Sequence, residues 1–394
     1  MENIYRFIVS RFFRNLYFML PAQTLFLVAK GLSFGEIMWL ESFLMIGLML
    51  FEVPTGIIGD KVGRKWSIIF GDLVWILSWI PWFWADGFWG FALCFFLAGV
   101  SIAFESGSDQ ALVYDQLVAL GQEKKMQKVY GYYLAIFPLA AAAAGLIGGW
   151  IAINHDMKSF YFLYMLIMVA QVVGMIIMLT VKEPRRSYAG EKIEHKPESG
   201  IKMFVDGAKI ILGNKKMKKI LYLKLLTTPF SIILFYAFQP YFLQAGVDSG
   251  WYGPAIFVSS LLTVLTKLYA HKLEEWWGVE KAVVIVSVFP ALMWTVMALV
   301  FDPVWSFVLF VITDAAGNIR DPIFSDYFNR HIKSINRATI LSTLSLMYSL
   351  YQVVMRPILG YIADIDMRYM FLTIALVIMS GITFFRLKKE DVVG

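Results

Sequence analysis

The chain has 394 residues, 59% of them hydrophobic and only 16% charged, with a formal net charge of +6. A soluble domain carries about 25% charged residues, so this composition excludes a soluble fold and indicates an integral membrane protein. The single cysteine, Cys94, excludes a disulfide framework and a thiolate metal cluster, and no metal or cofactor is expected.

A spanning helix needs about 20 mostly apolar residues, because the hydrocarbon core is about 30 Å thick. That ruler predicts an all-α membrane protein with twelve transmembrane helices: 12–29, 34–58, 66–84, 89–118, 128–153, 159–181, 219–245, 250–272, 281–300, 304–328, 336–361 and 367–386. Ahead of the first, residues 1–14 carry Arg6, Arg11 and Arg14 among Ile4, Phe7 and Ile8. This reads as a membrane-surface segment leading into an uncleaved first helix, since no small-residue cleavage site follows. With the N-terminus inside, only Lys30, Lys158 and Arg368 fall in outer loops, while Lys224, Arg320 and Arg356 lie within spans. The bias of Lys and Arg therefore predicts cytoplasmic termini in a multi-pass protein of the plasma membrane.

Directly after the second span the sequence reads Gly56-Ile-Ile-Gly-Asp60-Lys61-Val-Gly63-Arg64-Lys65. The glycines keep the helix end thin enough for close approach. Asp60 can accept from a helix N-terminus, and Arg64 can fork onto a carboxylate, with Asp115 at the inner end of the fourth span best placed. This segment resembles the G-x-x-x-D-R-x-G-R-R signature of the major facilitator superfamily: Gly56, Asp60, Gly63 and Arg64 match, and Lys61 and Lys65 replace arginine. Phe51-Glu52-Val53-Pro54-Thr55 and the Glu105–Asp115 stretch resemble drug-exporter-like branches of that family. The resemblance implies two six-helix bundles that transport by alternating access, with the Gly56–Lys65 cluster latching the cytoplasmic side in the outward-facing state. The corresponding second-half stretch, His271-Lys272-Leu-Glu274-Glu275-Trp-Trp-Gly278, keeps mixed charge but has lost the glycine spacing.

Along the rest of the chain, Glu105 and Asp109 stand one turn apart on the fourth span, and Asp314 and Asp321 share a face of the tenth, beside Arg320. Ionisable residues at membrane depth are costly, and each is a candidate functional group. These five are the expected proton- and cation-coupling residues, with Glu105 and Asp314 as titrating groups. In the fifth span, Gly145, Gly148 and Gly149 follow an alanine run, which favours close helix packing. Phe95 occupies the position where related proton-coupled drug antiporters carry a fourth-span arginine, so coupling through that residue is not available. The connector 182–218 holds Ile201, Phe204, Val205, Ala208, Ile211 and Leu212 at helical spacing. This predicts an amphipathic linker helix between an N-terminal bundle, 1–181, and a C-terminal bundle, 219–394. Asn15, Tyr17, Gln23, Tyr236, Gln239, Tyr348 and Gln352 are candidate substrate-cavity residues, and Glu41 with Arg356 a candidate extracellular gate.

No phosphate loop, H-E-x-x-H or G-x-S-x-G occurs, and the four histidines, at 155, 195, 271 and 331, fall in predicted loops or at span ends. An enzyme and an ATP-driven pump are thereby disfavoured. The expected protein is a monomeric secondary active transporter in the lipid bilayer, binding small molecules and protons but no nucleic acid. Proton-coupled efflux of amphipathic organic molecules is the leading expectation. A symporter or uniporter for a sugar, organic acid or siderophore is the alternative.

Overall fold

The computed structural model describes residues 2–184, 200–319 and 337–385. All regular elements among them are helical: α1 (Glu2–Arg14), α2 (Gln23–Ala29), α3 (Phe34–Val62), α4 (Arg64–Trp79), α5 (Phe88–Glu105), α6 (Ser108–Ala119), α7 (Met126–Ile151) and α8 (Met157–Thr180) come first. After them follow α9 (Gly200–Gly213), α10 (Lys215–Thr227), α11 (Ser231–Ala245), α12 (Tyr252–Leu299), α13 (Pro303–Asn318), α14 (Arg337–Ile365) and α15 (Met367–Phe384). Seven stretches of the described residues are long and apolar enough to cross a membrane. The chain divides into two compact units, 1–192 with 248–261, and 193–247 with 262–394.

In the first unit α3 runs along α5, α4 packs on α5 and α8, and α1 lies along α8. The α3–α5 approach depends on absent side chains: a Cβ on Gly99 would stand 1.9 Å from the Leu44 carbonyl oxygen. Thr55 adds a cross-helix bond, its hydroxyl donating to Ala103 O at 2.9 Å. Ser33 starts α3 with a capping box, its hydroxyl accepting from Glu36 N–H while the Glu36 carboxylate takes Ser33 N–H. The glycines of α7 are packing residues, since a Cβ on Gly149 would meet Gly253 Cα at 2.5 Å.

The second unit is centred on aromatic rings of α11, α13 and α15. Phe238 stacks on Phe310 at 4.6 Å, and Tyr241 meets Phe371 edge-on. The predicted linker helix exists as α9 and packs on α14, with Ile211 fully buried and Val205, Ile210 and Leu212 exposed.

Four expectations about span geometry need correction. The first span does not begin at residue 12: helix starts at Glu2, breaks over 15–22 and resumes as α2, because Arg11 and Arg14 find buried partners inside the protein. The fourth span is broken at Gly107, whose φ of +74° ends α5 and starts α6. The eighth and ninth spans are joined by a sharp turn at Gly278 (φ +74°), where two helical segments meet, with only this residue non-helical between them. The seventh span begins at Lys215 and is interrupted between Thr227 and Ser231. The expected sites Arg320 and Asp321 lie outside the described residues.

Candidate functional site: a turn between helices and a buried ion network

The Gly56–Lys65 stretch is a sharp helix–helix turn. α3 ends at Val62, Gly63 takes a φ of +117°, and α4 begins at once with Arg64. Such a φ is accessible to glycine and strained for residues carrying a Cβ. The free N–H groups of the new helix meet a carboxylate, that of Glu183. Its two oxygens accept from Arg64 N–H at 2.8 Å and Lys65 N–H at 3.3 Å. Lys65 Nζ donates to Leu179 O at 2.7 Å, so the turn is fastened to the end of α8. The expected pair is present, with Arg64 Nε 3.2 Å from Asp115 Oδ2, both side chains about a quarter exposed. Gly56, Asp60 and Lys61 stand on the exposed last two turns of α3. Sequence reasoning missed Glu183; its signal was an acidic residue immediately beyond the sixth span, ahead of Pro184.

Deeper in the same unit, five charged side chains converge from four helices. Arg14, 2% exposed, donates through Nε to Asp72 Oδ1 at 2.6 Å and through Nη2 to Glu105 Oε1. Arg11 donates to Asp109 Oδ2, and its guanidinium lies 3.8 Å from the centre of the Tyr133 ring. Tyr133 in turn donates its hydroxyl to Asp109 Oδ2 at 3.3 Å, and Gln171 Nε2 donates to Asp72 Oδ1 at 2.7 Å. Gly174 makes room for Arg14: a Cβ there would lie 2.5 Å from Arg14 Cγ and 2.9 Å from Ser10 O. Arg11 and Arg14 are therefore not surface residues of a leading segment. Asp109 pairs with Arg11, while Arg320 lies outside the described residues. The helix break at Gly107 places Asp109 in the first turn of α6, where free N–H groups favour a negative charge.

The remaining expected residues are distributed as follows. Asn15 turns back onto α1, its amide donating to Arg11 O at 2.7 Å, and Tyr17 donates to Gln23 Oε1 at 2.7 Å. Glu41 is buried in α3 of the first unit. In the second unit Tyr236 and Gln239 are buried on α11, and Tyr348 accepts from the Thr228 hydroxyl at 3.1 Å, with Lys224 Nζ 5.1 Å from its ring centre. Arg356 is buried and donates to Gln352 Oε1 on the same helix. Asp314 accepts from the Asn318 amide at 3.4 Å. A cavity of about 330 Å³ opens beside Glu183, lined by Arg6, Gln116 and Lys182 among others, and none of the expected substrate residues lines it.

The sequence profile of the Major Facilitator Superfamily matches residues 7–334. The MFS-type transporter YxaM of Bacillus subtilis (strain 168), whose name describes it as uncharacterised, is 23% identical over 388 residues, 94% of this chain and 92% of its own. Among solved structures, the nucleoside transporter NupG, in a mutant form, superposes with a TM-score of 0.80 at 13% identity, covering 97% of this chain and 98% of that one. A D-xylose–proton symporter superposes with a TM-score of 0.69 at 10% identity, over 98% and 96% of the two chains. At such identities the structural matches speak to the fold, while the profile match reaches across both the glycine turn and the buried ion network. The chain is a membrane-embedded, multi-pass transporter and not an enzyme, and it belongs to the major facilitator superfamily.

Proposed function

We propose that this transporter is a proton-coupled secondary carrier of the plasma membrane, with cytoplasmic termini, that exports amphipathic small organic molecules. The observation that supports coupling is the network of Arg11, Arg14, Asp72, Glu105 and Asp109, gathered between four helices of one unit. Charged groups are retained in such a place when their neutralisation or pairing changes during the cycle. Glu105 and Asp314 carry the coupling proton in this reading. Asp109, Arg320 and Asp321 balance charge around them, and the aromatic and amide residues assigned to the cavity hold substrate. The turn at Gly63, with Asp60, Arg64 and Asp115, acts as the latch on the cytoplasmic side, and Glu41 and Arg356 serve the opposite side.

Proteoliposomes loaded with ethidium test this directly. An inward-directed proton gradient should drive ethidium export, and Glu105→Gln should abolish the gradient response while leaving downhill exchange. Ethidium movement that ignores the gradient would discard coupled efflux. One observation favours a second reading, symport of a neutral or anionic metabolite: Glu105 and Asp109 are each paired with an arginine, which weakens their attraction for a lipophilic cation. Accumulation of a sugar or organic acid along the proton gradient, without ethidium export, would decide for that reading.

A further inference from the structure

The charges of the buried network do not cancel. Two guanidiniums, which stay protonated in proteins, face three carboxyl groups. Among the described residues, the neighbouring side chains add none: Tyr133 and Tyr130 from α7 and Gln171 from α8 are neutral, and Ser101 of α5 is engaged with Gly71 O. Fully ionised, the cluster would hold one uncompensated negative charge away from water, which a low-dielectric interior strongly disfavours.

The three acids are not equivalent. Asp109 Oδ2 receives Arg11 and the Tyr133 hydroxyl, while its Oδ1, also buried without a hydrogen-bond partner, lies 4.0 Å from Arg14 Nη1; two guanidiniums and the first turn of α6 thus support its charge. Glu105 has Arg14 and a side chain 30% exposed. Asp72 is completely enclosed: Oδ1 receives both Arg14 Nε and Gln171 Nε2, while Oδ2 is buried with no hydrogen-bond partner. Of the two carboxyls with a donorless oxygen, Asp72 pairs with a single guanidinium and has no helix N-terminus, which makes it the least favourable seat for the surplus charge.

We propose that the cluster is a proton-binding site, and that Asp72 is the carboxyl group that holds the proton. The assignment rests on the proton-coupled reading above and names a residue outside it. Arg14 makes exchange possible because it bonds Asp72 through Nε and Glu105 through Nη2 at once. On release, the O–H bond at Asp72 breaks, its electron pair stays on Asp72, and the proton passes to the Glu105 carboxylate. Arg14 then pairs with the newly ionised Asp72, and Glu105, the part-exposed acid, hands the proton to water. Loading runs through the same steps in reverse. Throughout, the cluster keeps two positive and two negative charges, except while Glu105 exchanges with water.

Infrared difference spectra of the purified full-length protein between acidic and alkaline pH read the protonated carboxyl without needing a substrate. The wild type should show a C=O band of a buried carboxylic acid that Asp72→Asn removes, Asp72→Glu shifts in frequency and Glu105→Asp leaves in place. If Asp72→Asn fails to fold, Gln171→Met supplies the test: losing a donor to the ionised form should move the band's titration to higher pH. In ethidium-loaded proteoliposomes, Asp72→Asn should lose the gradient response and keep downhill exchange. A band that survives Asp72→Asn, or that shifts in Glu105→Asp and not in Asp72→Glu, overturns the assignment to Asp72. So does a gradient response that Asp72→Asn retains. A wild type with a band but no gradient response overturns the coupling reading, and a response to sodium in place of protons overturns both.

Discussion

At Gly63 two constraints coincide, a φ of +117° and a carboxylate so close that an added Cβ would lie 2.6 Å from Glu183 Oε2. Gly63→Ala should therefore cost about 1 to 3 kcal/mol in stability and slow transport, which thermal unfolding in detergent and reconstituted flux would register. Glu183→Gln keeps the shape but removes the charge at the start of α4. The expected loss is smaller, about 0.3 to 1 kcal/mol, with transport impaired more than folding if the turn is a moving latch. Arg64 and Asp115 are part-exposed, so their pairing contributes about 1 kcal/mol at most to stability. Arg64→Ala and Asp115→Asn should each slow transport, with the double variant no worse than the more severe single one. Additive losses would show that the pair does not act as a unit. The Arg64–Asp115 contact was legible from spacing and charge type alone. Glu183 was not, because the chain returns to the turn only after five more helices have packed.

Among the elements, α1 and α8 show how a buried arginine is housed. Gly174 leaves the volume that Arg14 Cγ occupies, and Ser10 donates its hydroxyl to Gly174 O at 2.7 Å. Gly174→Leu should push Arg14 out of reach of Asp72, destabilise the fold by about 1 to 3 kcal/mol, and abolish the gradient response. A variant with wild-type melting and coupling would remove Gly174 from this role. The start of α8 gives a pH test. Asp156 accepts both the N–H and the hydroxyl of Ser159, which holds its carboxyl below the usual range. A depressed carboxyl stabilises the fold above its unfolded value and loses that contribution as pH falls through the folded one. Wild type and Asp156→Ala should thus differ in Tm near neutrality and converge below about pH 3. The α8 start sits where the hydropathy ruler put it. The breaks in the first, fourth and seventh spans do not follow from that ruler, since Gly107 is one glycine among many and only its φ of +74° marks the interruption.

For the whole molecule, the distribution of Lys and Arg predicts which face is which. In a Cys94→Ala background, single cysteines replacing Lys30, Lys158 or Arg368 should react with a membrane-impermeant maleimide added outside to intact cells. A cysteine replacing Lys216 should stay unlabelled until the cells are opened, and the reverse pattern would invert the topology. Sequence alone determined that this is a helical membrane protein, that an amphipathic helix lies in the connector, and that Arg64 faces Asp115. Those features follow from local quantities: apolar length, charge along the chain and short-range spacing. Even the turn at Gly278 keeps its glycine, although the spacing around it has drifted. Only the tertiary structure decided that Arg11 and Arg14 leave the membrane surface to pair with Asp72, Glu105 and Asp109, and that Asp72 has one oxygen without a donor. The reason is energetic. A charge near a chain end is as compatible with solvent as with burial, and its place is settled by opposite charges brought close from helices far away in sequence, whose pairing offsets the loss of water.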